Sequence, residues 1–184
     1  MHRIARCFVV LLTLSGCTDY KWGHNWRTEA PGGWTDETKV ESIRSVFLTA
    51  TCQGTPLTVG VERMDATTLV ALFFIPLFPS SLDQPYPLLI QVKHKDLKHC
   101  PTPAQNPLLL KMDGRLITDF ETTRNQEDGV CIMRPAARQL DGNTLSMEIN
   151  PNVLPCAVAP ATLKKSRYAC MRAMQFGGSA RCED

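Results

Sequence analysis

The sequence predicts an all-β fold: an antiparallel β-sandwich, braced by disulfides, behind a flexible N-terminal tether. Three observations carry this. Apolar residues recur at every second position in several short segments, Asp-Gly pairs punctuate the second half, and thirteen prolines interrupt a chain of 184 residues. A helical bundle tolerates neither the period nor the prolines.

Residues 1 to 16 carry His2, Arg3 and Arg6 and no acid, followed by the apolar run Cys7-Phe8-Val9-Val10-Leu11-Leu12. A basic start and a short apolar core form an export signal. The run is far short of the roughly 20 apolar residues that a spanning helix needs. The next residues, Leu14-Ser15-Gly16-Cys17, resemble the lipobox of bacterial lipoproteins. That resemblance implies cleavage before Cys17, acylation of its thiol and freed amine, and anchorage in a lipid bilayer. One acyl chain anchors only marginally, whereas several together hold firmly. Thr18 rather than an aspartate follows the cysteine, which in such lipoproteins favours the periplasmic face of the cell outer membrane over the inner membrane.

Residues 17 to 42 then read as the lipidated cysteine and its tether. Trp22, Trp26 and Trp34 are interspersed with Lys21, Gly23, Asn25, Arg27, Pro31, Gly32 and Gly33, without a period that would bury one face. Trp22 and Trp26 suit the headgroup level of a bilayer. The alternative is that one or two of the three indoles pack on the domain.

Residues 43 to 184 form the expected periplasm-facing sandwich. Val46, Leu48, Ala50 and Cys52 alternate with Phe47, Thr49 and Thr51, and Leu57, Val59 and Val61 alternate with Thr58, Gly60 and Glu62. Each such segment offers one face to a core and the other to water. Leu69 to Ile75 is continuously apolar and reads as one buried strand stopped by Pro76 and Pro79, and Leu88 to Val92 follows. Asp113-Gly114, between Leu108–Met112 and Arg115–Phe120, is a two-residue hairpin signal, because both positions tolerate positive φ. Asp128-Gly129 leads into Val130–Met133, and Asp141-Gly142-Asn143 into a strand where Leu145, Met147 and Ile149 share a face. Residues 162 to 176 fit a helix stripe through Leu163, Cys170, Met171 and Met174. They also fit a strand through Tyr168, Cys170, Arg172, Met174 and Phe176, towards which the reading leans.

Cleavage removes Arg3 and Arg6, so 18 of the 20 Lys and Arg residues face 18 Asp and Glu, and the mature chain is close to neutral. Such a balance supplies no basic field for nucleic acid. With Cys7 lost and Cys17 acylated, Cys52, Cys100, Cys131, Cys156, Cys170 and Cys182 remain. An even set in an exported chain reads as three disulfides. Six cysteines allow fifteen pairings; Cys170 with Cys182 is the first expected, since Gly177-Gly178 between them can turn the chain back. A metal centre at His94, His99 and Cys100 lacks a fourth ligand, and no metal or cofactor is expected.

No nucleophile elbow, zinc-protease helix or phosphate-binding loop is present. His94 and His99, flanked by Lys95 and Lys98, read as solvated loop residues. The chain is therefore expected not to be an enzyme. Its expected role is that of a binding or structural module of the envelope, partnered by another envelope protein. The segment Leu72-Phe73-Phe74-Ile75-Pro76-Leu77-Phe78-Pro79 offers Phe74, Leu77 and Phe78 for partner docking on a proline-stiffened loop. Two other readings remain: an envelope hydrolase using Asp119 or Glu121, and a carrier holding an apolar ligand among Phe73, Phe74 and Ile90.

Overall fold

The computed structural model describes residues 17–29, 32–38, 45–64, 67–72, 75–81, 84–97, 105–121, 129–173 and 181–183. For residues 17–19, 67–72, 75–81, 171–173 and 181–183 the backbone alone is described. The strands are β1 (Cys17–Glu29), β2 (Thr35–Asp36), β3 (Ser45–Cys52), β4 (Thr55–Arg63), β5 (Thr67–Leu72), β6 (Ile75–Ser81) and β7 (Leu88–Lys93). They continue with β8 (Leu108–Met112), β9 (Arg115–Leu116), β10 (Val130–Met133), β11 (Thr144–Ile149), β12 (Ala161–Ala173) and β13 (Arg181–Glu183). The chain divides into two compact units, and β1 and β12 each contribute to both, β1 dividing after Gly23 and β12 before Arg167.

The larger unit is the sandwich. One of its sheets has the order β10-β7-β4-β3-β2, and the other runs from β1 through β12, β11 and β8 to β9. Val46, Leu48, Ala50 and Cys52 of β3, Leu57, Val59 and Val61 of β4, and Leu88, Ile90 and Val92 of β7 line the inner face of the first. Leu108, Leu110 and Met112, with Leu145, Met147 and Ile149 and then Ala161 and Leu163, line the second, and all join one apolar cluster. The alternation in the sequence thus maps onto inner and outer faces. Phe47, Glu62, Gln91 and Lys93 stand outside, and Lys111 pairs with Glu148 across the outer face of β8 and β11 at 2.8 Å. Full burial of each Leu, Ile or Val contributes about 1.5–3 kcal/mol.

Both flanks of this sandwich are tied. On one, the Thr28 hydroxyl donates to the Asp36 carboxylate, the Trp34 indole N–H donates to the Ala159 carbonyl at 2.8 Å, and Cys52 is bonded to Cys156 with their Cα atoms 5.3 Å apart. On the other, residues 117 to 121 leave β9 and run beside Arg134–Ala136. There the Glu121 N–H donates to the Arg134 carbonyl and the Ala136 N–H to the Asp119 carbonyl, at 2.8 and 3.0 Å.

The smaller unit is a single sheet among its described residues, built from β6, β5, the start of β1, the end of β12, and β13. β5 pairs with both β1 and β6, antiparallel in each case.

Two expectations change. Residues 17 to 29 are not a tether but a thirteen-residue strand. Trp26 and Trp34 are buried, while Trp22 is 42% exposed. Two of the three indoles therefore pack on the domain, because β1 gains a ladder and the Trp34 N–H finds a carbonyl. Leu69–Ile75 is not one strand: it splits into β5 and β6, with Pro76 and Pro79 inside β6. β6 is an edge strand, and an edge accepts prolines because the outward N–H needs no partner. Residues 162 to 173 form a strand, as the leaning reading had it; 174 to 176 lie outside the described residues.

The Asp113-Gly114 turn has φ of 46° and 81°, the paired positive values that the hairpin signal implies. Gly142 needs glycine for another reason. A Cβ there would lie 2.6 Å from Met112 Cγ and from an Asp113 carboxylate oxygen. Gly142→Ala is expected to cost about 1–3 kcal/mol by overpacking the end of β8, read as a lowered thermal midpoint. Asp36 titrates below its ordinary 3.8: burial alone would raise it, but hydrogen bonds from the Thr28 and Thr38 hydroxyls and the Thr38 N–H outweigh that. A carboxylate with a depressed folded pKa stabilises above its unfolded pKa, and that contribution is lost as pH falls through the folded value. Asp36→Asn is therefore expected to flatten the acid limb of stability below about pH 4, measured by denaturation at stepped pH.

Candidate functional site

A cleft sits where β8 outruns its short neighbour β9. The hairpin tip is fixed from outside. The Asp113 carboxylate accepts the backbone N–H groups of Asn143 and Thr144, at 3.2 and 2.8 Å. The Asp113 N–H donates to the Thr144 carbonyl at 2.8 Å. After Leu116 the chain turns inward: Ile117 is buried and its N–H donates to the Leu110 carbonyl at 2.8 Å. β9 ends there, so the remaining edge of β8 is left beside a groove of about 240 Å³. Leu108, Leu109, Leu110, Leu116, Ile117 and Phe120 line it, with Asn106 and Thr118.

Leu116 is 52% exposed, the most exposed large apolar side chain among the described residues. On the β11 side, the Pro107 carbonyl accepts the Asn150 N–H at 2.8 Å. By alternation, the polar backbone groups of Leu108 face the groove side. The lining holds no acid, base or thiol. This groove can therefore take an apolar side chain and pair with an extended backbone, and it offers nothing to move a proton.

Asp119 and Glu121 flank the groove but do not line it. Asp119 is paired with the Arg138 guanidinium through two donors, and Glu121 with Arg134 at 2.9 Å. Each carboxylate thus has a cationic partner and a structural task, since both pairs tie down the segment crossing between sheets. Ile90 is fully buried in the core and lines neither of the clefts described, while Phe73 and Phe74 lie outside the described residues.

His94 is not a solvated loop residue; it is 2% exposed. One ring nitrogen, Nε2, lies 2.8 Å from the Thr55 hydroxyl and 3.4 Å from the Cys52 carbonyl, and Nδ1 accepts the Asp96 N–H at 3.3 Å. That pattern assigns the ring proton to Nε2. The ring plugs the loop after β7, whose backbone also pairs with Gly129. His94 is buried despite its flanking lysines because it continues the inward register of Leu88, Ile90 and Val92, while Lys93 and Lys95 fall on the exposed one. His99 and Cys100 lie outside the described residues. Among the described residues no three His, Cys, Asp or Glu side chains gather where a metal ion could sit.

Of the other expected site residues, Cys17 is the first residue of β1, opposite Leu72. Leu77 and Phe78 lie on edge strand β6, and Phe74 is outside the described residues. Cys131 and Cys170 are both disulfide-bonded. Cys182 stands directly across from Cys170 in the β12–β13 pairing. Directly opposed residues of an antiparallel pair lie about 4.5–5.5 Å apart, within the span of a disulfide. Sequence reasoning missed the groove, because alternation marks faces but not where a neighbouring strand stops.

No protein-family model, no curated protein and no solved structure matches the chain.

The Cys52–Cys156 bond closes a loop spanning 104 positions. Replacing both cysteines by serine is expected to lower stability by roughly 2–5 kcal/mol, read from the denaturant midpoint.

Proposed function

We propose that the chain is an exported lipoprotein, held on the periplasmic face of the outer membrane by acylated Cys17. Its disulfide-braced sandwich acts as a non-enzymatic binding or structural module of the cell envelope. The observation that carries this reading is the oxidised state of Cys52, Cys156, Cys131 and Cys170. Disulfides of this kind persist in oxidising compartments such as the periplasm.

The β8–β9 groove supports a binding role. It joins an exposed leucine to an open strand edge and holds no group for acid–base chemistry. A partner segment in extended conformation would meet both features, backbone against backbone and one side chain in the groove.

Two measurements test the reading. Mass analysis of the native product is expected to show residues 1 to 16 removed and acyl chains on Cys17; a retained start or a free thiol there overturns the anchor. A photocrosslinker at Thr118 in intact envelopes is expected to capture a discrete partner, and Leu116→Glu to abolish the adduct. An unchanged crosslinking pattern in the variant removes the groove from the function.

A further inference from the structure

The hairpin β5–β6 is graded in polarity along its length, and its gradient ends at Cys17. Its pairing register runs Thr67 with Ser81, Thr68 with Ser80, Leu69 with Pro79, Val70 with Phe78, Ala71 with Pro76, and Leu72 with Ile75. Two polar pairs at one end thus give way to four apolar pairs at the other. β1 fixes which end faces what: Trp22 lies across from Thr67 at the polar end, and Cys17 across from Leu72 at the apolar end.

A strand with one wet face alternates polar and apolar residues, whereas β5 from Leu69 to Leu72 does not. Both faces of this end therefore need an apolar surrounding. The smaller unit supplies a single sheet among its described residues. Pro76 and Pro79 on edge strand β6 remove two backbone donors, which makes another β-strand a poor neighbour there.

We infer that the apolar end of the β5–β6 hairpin enters the phospholipid surface beside the lipid-bearing Cys17, so that the protein meets the bilayer through a protein wedge as well as its acyl chains. The inference rests on the anchorage proposed above and extends it. β1 carries Asp19 opposite Val70, two residues in from Cys17. At about 3.3 Å per residue the wedge on that side is roughly 7 Å deep before a charge appears. That is the depth of the boundary between headgroups and acyl chains.

The test uses the protein as isolated from its host, reconstituted into phosphatidylcholine–phosphatidylglycerol vesicles containing a phospholipid with a diazirine on its acyl chain. After irradiation, adducts are expected on the peptide covering residues 69 to 79. Leu77→Glu is expected to lower that labelling roughly tenfold or more, since a carboxylate among acyl chains is strongly disfavoured. Thr68→Glu, at the polar end, is expected to leave it unchanged, with circular dichroism confirming that both variants fold. Adducts confined to the peptide bearing Cys17, or found instead on residues 108 to 118, overturn the inference, as does equal labelling of the Leu77→Glu protein. The two readings fail separately. Hairpin labelling with an unmodified Cys17 sinks the anchor and spares the wedge, while an acylated Cys17 without hairpin labelling does the reverse.

Discussion

A β-sheet with one apolar face cannot stand in water alone, and this constraint organises the larger unit. Its strands place Leu48, Val59 and Ile90 on one inner face and Leu110, Met147 and Leu163 on the other, each fully buried. Two such faces satisfy each other only by stacking, which yields the sandwich. Everything at the flanks serves that stacking. The disulfide at Cys52, the indole of Trp34 and the arginine-paired segment from Ile117 to Glu121 close gaps through which water would otherwise reach the core. His94 belongs to the same economy: its ring fills the loop behind Cys52 and uses both nitrogens in hydrogen bonds, so its burial leaves neither nitrogen unsatisfied.

The parts of this arrangement that were legible in the sequence are those governed by local period and turn chemistry. Alternation placed the inner residues of β3, β4, β7 and β11, and the Asp113-Gly114 pair marked its hairpin through the two positive φ angles. What was not legible depends on neighbours distant in the chain. β1 has no apolar period, yet it is a strand because β5 supplies a ladder partner about fifty residues away. Pro76 and Pro79 look like stops when read along the chain and are harmless once β6 is known to be an edge. His94 looked wet because its sequence neighbours are lysines, although it falls on the inward register of Leu88, Ile90 and Val92. The groove beside Leu116 was invisible for a related reason: where β9 ends relative to β8 is a matter of pairing, which period two does not encode.

The two units differ in what their strands offer. The sandwich buries most of its described apolar residues and leaves a short length of the β8 edge beside the exposed Leu116. The single-sheet unit carries a hairpin whose apolar residues occur in both registers. On the function proposed above, the first would serve a protein segment and the second lipid. Both are set by strand ends, not by a pocket of converging polar groups.

The length of β1 has a mechanical consequence. Its first residues are bonded rung by rung to β5, and its later residues carry Trp26 into the sandwich core. Tension drawn along the chain from position 17 runs parallel to the strand, at right angles to the inter-strand hydrogen bonds. Such a load is shared among the six β1–β5 pairs at once and does not open them one at a time. Under the anchorage proposed for Cys17, such a pull would grip the domain in shear, the loading direction in which a β-ladder yields last.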